Sequence, residues 1–204
     1  MIRRVGIDAA LAAIALMLGA CSYTYSINPL SAPGDSEADV RLEGIWQGEC
    51  PAGDCVAYTH VVLLDNGLMD VQFVGYRYKV ILDSSPFRWG RYQVFRTEID
   101  GAQYLNVMPV AGKTDIEREG PLYFIFKYDI SQDGVWTIWL PSGEALRTLH
   151  RDIEEGKLAG MKRDGDFIVT DDAANLREYI RWEEDPFTER FVTLRKILPK
   201  VPGR

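Results

Sequence analysis

Histidine is nearly missing from this 204-residue chain, with His60 and His150 as its only two. A serine–histidine–acid triad would need one of them, and no Gly-x-Ser-x-Gly turn is present to expose a nucleophile. His60 stands at strand spacing beside Val61 and Val62, and His150 follows Leu149 in a charged, helix-like stretch. Basic residues are also scarce: 23 Lys and Arg against 30 Asp and Glu leave a net charge of −7. Nucleic acid rewards basic patches through counterion release, so that class of partner is excluded. No hydrophobic run reaches the roughly 20 residues that a membrane-crossing helix needs. The acidic run Glu183-Glu184-Asp185 lacks the glycine turn of a calcium loop, and no carboxylate pair is singled out for glycoside cleavage. The expectation is a non-enzymatic protein with no metal and no cofactor.

What is present is concentrated at the start. Arg3 and Arg4 precede an apolar stretch from Ala9 to Leu18, and Leu18-Gly19-Ala20 ends at Cys21. A positive start, a short hydrophobic stretch and small residues before a break form an export signal over residues 1–20. The cysteine directly after Leu-Gly-Ala resembles the bacterial lipoprotein signal, which implies that Cys21 is lipidated and becomes the new N-terminus. Ser22 follows it rather than an aspartate, and in proteobacterial lipoproteins that implies the outer membrane, facing the periplasm. Removing residues 1–20 leaves 21 basic side chains (23 less Arg3 and Arg4) against 29 acidic ones (30 less Asp8). An acidic body is not drawn to anionic lipid, so the expected membrane affinity comes from the acyl anchor. Residues 21–41 are rich in Ser, Pro, Asp and Gly without sustained period, and the expectation is a lipidated N-terminus and flexible tether of about 25 Å reach.

The other two cysteines, Cys50 and Cys55, flank Pro51-Ala52-Gly53-Asp54 in a chain bound for an oxidising compartment. A disulfide there would close a hairpin loop, worth about 2 kcal/mol on the chain-entropy estimate. The competing reading groups Cys50, Cys55 and His60 as metal ligands, but a fourth ligand is lacking nearby.

From Leu42 to residue 198 the chain reads as one β domain. Short strand signals run over Leu42–Glu49, Val56–Leu64, Leu68–Gly75, Arg91–Glu98, Gln103–Val107, Leu122–Tyr128, Val135–Leu140, Lys157–Lys162, Phe167–Val169 and Phe191–Lys196. Asp65-Asn66-Gly67, Asp100-Gly101, Asp133-Gly134 and Asp164-Gly165 supply the turns between them. The fold class is therefore mainly β, an antiparallel barrel of about eight to ten strands. Helical spacing appears over Ser142–Glu155 and over Ala173–Arg181, the second preceded by Thr170-Asp171-Asp172 as a cap. The strands 122–128 and 135–140 are apolar on both faces, so the helix 173–181 is expected to cover the sheet outside through Leu176, Tyr179 and Ile180.

Gly44-Ile45-Trp46 at the first strand is similar to the Gly-x-Trp signature of lipocalins, small antiparallel barrels that enclose apolar ligands. The resemblance implies a tryptophan at the closed barrel end with an arginine packed over it, here Arg195 or Arg190. Thr170-Asp171-Asp172 with Asn175-Leu176 resembles a segment of uncharacterised bacterial lipoproteins, as does Gly-Lys-Leu-x-Gly at 156–160; Asp172 stands where serine is usual. The 23 aromatic residues (8 Phe, 5 Trp, 10 Tyr) either fill a barrel or line a pocket in it. Three functions remain: a lipoprotein holding a small apolar ligand or an envelope component, an assembly module with a filled barrel and a protein partner, and, distantly, a hydrolase.

The cysteines give the first prediction. Peptide mass spectrometry of the exported protein should find Cys21 acylated, and Cys50 and Cys55 closed to alkylation until reduced. Replacing Cys21 with Ser should abolish incorporation of a fatty-acid label. Label kept by Cys21→Ser, or free thiols at 50 and 55, would remove the respective assignment.

Overall fold

The computed structural model describes residues 24–49, 55–77, 87–110, 121–163, 165–182 and 185–197. Eight antiparallel strands close into a barrel: β2 (Gly44–Glu49), β3 (Cys55–Leu63), β4 (Met69–Arg77), β5 (Phe87–Ile99), β6 (Ala102–Pro109), β7 (Phe124–Ile130), β8 (Val135–Leu140) and β11 (Glu189–Lys196). From β2 to β8, neighbours in sequence are neighbours in the wall, and the turns after β3 and between β7 and β8 are tight. Leu64 accepts from the Gly67 N–H after β3, and Ser131 accepts from the Gly134 N–H between β7 and β8. The last strand, β11, enters between β2 and β8 and abolishes both edges.

The wall sorts side chains by parity. On β7, Phe124 and Phe126 face the interior while Ile125 joins an outer apolar cluster. On β8, Trp136 and Ile138 face in and Trp139 faces out. Strands β9 (Gly160–Arg163) and β10 (Asp166–Val169), expected as part of the barrel succession, instead form a separate small sheet with β1 (Thr24–Ser26).

Among the described residues, two α-helices lie outside the barrel. In α1 (Gly143–Glu154), the Ser142 hydroxyl accepts from the Ala145 N–H. In α2 (Ala173–Trp182), the Asp172 carboxylate accepts from the N–H groups of Ala174 and Asn175 at 2.9 Å. Asp171 takes the Ala159 N–H and the Asn175 side-chain amide, pinning the helix start to the loop before β9. The Thr-Asp-Asp-x-x-Asn motif is thus a capping device. The Gly-Lys-Leu-x-Gly segment is equally structural: Leu158 is buried, and a Cβ at Gly160 would stand 2.9 Å from the Ile153 side chain of α1. Leu176 is buried in a cluster with Ile99, Tyr104, Ile153 and Phe187, with Tyr179 and Ile180 packed at its border. The helix covers the outer wall through the three side chains that its periodicity singles out.

The described part of the expected tether, residues 24–41, is packed against the barrel rather than extended into solvent. β1 pairs parallel with β10, and Ser26 exchanges backbone hydrogen bonds with Tyr123 just before β7. Leu30 is fully buried, and its N–H donates to the Asn106 side-chain oxygen at 2.7 Å. Asn106, itself fully buried on the outer face of β6, donates in turn to Thr97 Oγ1 and the Phe95 carbonyl. The Ser36 hydroxyl donates to the Arg96 carbonyl and accepts the Arg96 N–H. These buried polar partners hold a segment whose composition reads as linker. Cys21 and Cys50 lie outside the described residues.

Leu176→Asp should remove one buried apolar contact and place a charge under α2, costing about 3 kcal/mol. The melting temperature should fall by roughly 6–12 °C, as read by circular dichroism. An unchanged transition would mean that α2 is not what stabilises the outer wall.

Candidate functional site

The barrel has a closed floor. Trp46 is buried there, and its indole N–H donates to the Leu42 carbonyl at 2.7 Å. Leu42 ends a short 3-10 turn, Val40–Leu42, that folds under the strands. Trp136 stands edge-on to Trp46 with ring centres 5.4 Å apart. The cation over Trp46 is Lys196, with Nζ 5.4 Å from the ring centre, and it also donates to the Arg41 carbonyl at 3.3 Å. Arg195 and Arg190, the expected partners, are exposed. The reason is register: Lys196 pairs with Trp46 whereas Arg195 pairs with Gln47, and directly paired residues share a face. Gly44 is needed because its φ is +118° and a Cβ there would lie 3.0 Å from the Lys196 side chain.

A buried polar group ties the floor together. Asp39 accepts from the Arg41 guanidinium at 2.7 and 2.9 Å, from the Arg41 N–H, and from the Tyr128 hydroxyl at 3.0 Å. Burial pushes the Asp39 carboxyl up, but these hydrogen bonds outweigh it and hold it below the usual carboxylate range. Burial, then the Asp39 charge, push the Tyr128 hydroxyl well above the usual phenol range, so it remains a donor. No sequence pattern announced Asp39; for Lys196 the chain offers only a shared parity with Val192 and Leu194, and the register with β2 decides that it meets Trp46.

Above this floor the lumen is hollow. A cavity of about 430 Å³ is lined by Val61, Met69, Val71, Phe73, Val94, Leu105, Val107, Phe124, Phe126, Ile138 and their neighbours. Its polar lining side chains are Thr59, Tyr92 and the indole edge of Trp136. The Trp136 N–H is buried without a hydrogen-bond partner among the described residues. Burial pushes the Tyr92 hydroxyl up, so it too stays neutral. Among the described residues, the lumen therefore offers dispersion and desolvation and no charge.

A second chamber of about 340 Å³ lies outside the wall, between β7, β1 and the two helices. Tyr25, Ile125, Ala145, Leu146, Leu149, Leu176, Tyr179 and Phe187 line it, and it shares Phe124, Phe126 and Leu140 with the lumen.

The other residues considered from sequence lie apart. His150 bonds Thr24 Oγ1 at 3.0 Å and stacks on Phe167 at 3.6 Å, and burial lowers its pKa. His60 is exposed on β3. Five residues apart on that strand, the backbones at 55 and 60 are about 16 Å apart, too far for one metal ion. Among the described residues, no three His, Cys, Asp or Glu side chains gather as a metal site. Asp185 forms an ion pair with Lys127 at 2.8 Å, while Glu183 and Glu184 lie outside the described residues. No described helix is long and apolar enough to cross a membrane.

A carboxyl whose folded pKa is depressed contributes stability above its unfolded value of about 4, and loses it as the pH falls through the folded one. Asp39→Asn should lower the melting temperature at pH 7 by roughly 2–6 °C, for about 1–2 kcal/mol. It should also flatten the decline of stability below about pH 4. Parallel acid profiles for the two proteins would show that Asp39 does not hold the floor.

No family model, no curated protein and no solved structure matches this chain.

Proposed function

We propose that the protein is a bacterial envelope lipoprotein, held to the outer membrane by acylation of Cys21, whose barrel carries a small apolar molecule in its lumen. The observation that carries this reading is the apolar cavity of about 430 Å³ above the Trp46 floor. Its size falls within the roughly 300–1,000 Å³ of small-molecule sites. A barrel serving only as an assembly module has no reason to keep its centre open, because unfilled apolar space forfeits packing contacts. The absence of charge among the described lining residues favours a neutral ligand, or one whose charged end stays at the mouth. The body carries no nucleic-acid surface and no catalytic set in this reading, and its partners are the membrane and the ligand. The β2–β3 ladder runs from Gly44 opposite Val61 to Glu49 opposite Val56, a phase that supports a disulfide between Cys50 and Cys55.

The Cys21→Ser chain, handled without detergent, should raise the fluorescence of N-phenyl-1-naphthylamine and saturate near one probe per chain. Val107→Phe narrows the lumen and should weaken that binding about tenfold, with the melting temperature within a few degrees of the parent. A probe signal that never saturates, or one indifferent to Val107→Phe, would place binding elsewhere.

A further inference from the structure

The lumen and the helix-side chamber meet where the barrel wall is weakest. β7 and β8 pair from Ile130 opposite Trp136 up to Lys127 opposite Trp139, and the pairing stops there. Beyond it no ladder pair joins β7 to β8: Phe126 falls level with Leu140 without pairing, and opposite Ile125 and Phe124 the strand has ended, since Pro141 turns the chain into α1. β11 shifts register between Arg190 and Val192, a bulge that leaves Phe191 unpaired with β8 at the same level. The partition between the two chambers is consequently made of side chains rather than a backbone ladder. Phe126 stacks between Phe124 and Phe191 with ring centres 6.2 Å apart on each side. Phe191 is 45 % exposed, so nothing heavy holds this partition shut.

The N-terminal arm fixes which way that end of the barrel points. The arm enters at Ser26, which bonds Tyr123 at the start of β7, and it reaches the floor at Asp39, which bonds Tyr128. Thr24–Ser26 line the outer chamber, at the mouth end of the barrel. Only Ser22 and Tyr23 separate Cys21 from Thr24, a span of at most about 11 Å. An acylated Cys21 therefore ties the open end, and not the Trp46 floor, to the bilayer surface.

From these two observations we infer that the lumen ligand is an acyl chain of a bilayer lipid, which enters through the chamber beneath α1 and α2 and passes the Phe124–Phe126–Phe191 partition. The inference rests on the ligand-binding and anchoring reading above. Two apolar chambers joined at a narrow partition suit an unbranched chain, whereas a compact ring system would fill only one of them. Neither chamber asks the lipid to bury its charge, since the headgroup stays at the surface where the anchor holds the protein. The binding step is a partition between two apolar environments, so loading depends on proximity to the bilayer more than on net hydrophobic gain.

The test uses the full acylated protein in vesicles of phosphatidylethanolamine and phosphatidylglycerol, with a trace of phospholipid bearing a diazirine at the end of one acyl chain. Irradiation should give adducts both on α1, around Leu146 and Leu149, and on lumen strands, around Val71, Val94 and Leu105. Ala145→Trp fills the outer chamber from a half-buried helix position and should cut lumen adducts at least fivefold. Its naphthylamine binding should stay within twofold of the parent; Leu146→Trp is a second block of the same chamber should Ala145→Trp not fold. Lumen adducts indifferent to both blocks would overturn the lateral route. Adducts missing from the lumen while naphthylamine still binds would overturn the lipid chain as ligand and leave the cavity a site for another molecule. Failure of naphthylamine to bind the unaltered protein would remove both readings together.

Discussion

Strands β7 and β8 carry apolar side chains on both faces, and a wall of that kind must be covered twice. Inside, Phe124, Phe126, Trp136 and Ile138 meet the side chains of the other strands around the lumen. Outside, Ile125 and Trp139 would face water but for the helices, and Leu176, Ile153 and Phe187 supply the cover. A nine- or ten-residue helix is marginal on propensity alone, so α2 exists because this wall needs it, and the wall is stable because α2 is there. The second chamber is a by-product of the same demand. A short helix laid across a twisted sheet touches it along a line, and Leu140, Ala145 and Tyr179 border the space left beside that line.

The two ends of the barrel are built from different materials. The floor combines Trp46, Trp136 and Lys196 with Asp39, Tyr128 and Arg41, where the buried Asp39 carboxylate accepts from the buried Tyr128 hydroxyl and from the half-exposed Arg41 guanidinium. Buried groups so fully paired are costly to rearrange, which makes the floor the rigid end. At the mouth, the strand ladder gives out and stacked phenylalanines take its place. Ring contacts are weak individually and can slide without breaking a hydrogen bond. In the proposed reading, a ligand would be admitted at the end where the wall can yield and retained by the end where it cannot.

The arm from Thr24 to Leu42 links these ends. It starts in the small sheet beside the mouth, is clamped midway by Asn106 and Thr97, and finishes as the turn that closes the floor. Because the arm is bound along its length, residues 24–41 belong to the folded domain and are not a flexible tether.

Much of the architecture was legible in the chain itself. Period-2 alternation and Asp-Gly turns specify strands and hairpins, since both are local: parity follows from the pleat, and a positive φ in a turn follows from glycine. The expected export signal is read in the same way, as a contiguous pattern that needs no fold. The two helices, their caps at Ser142 and Asp172, and the face of α2 that packs down also follow from local spacing. Tertiary structure alone decided the rest. Whether the centre of the barrel is filled or hollow depends on strand number and stagger acting on side chains far apart in sequence. Lys196 rather than Arg195 covers Trp46 because the pairing register between the first and last barrel strands sets which residue shares its face. Residues 24–41 look like linker because their partners, Asn106, Thr97, Arg96 and Tyr128, are supplied by strands far along the chain, and a segment stabilised by distant hydrogen-bond partners leaves no periodic trace of its own.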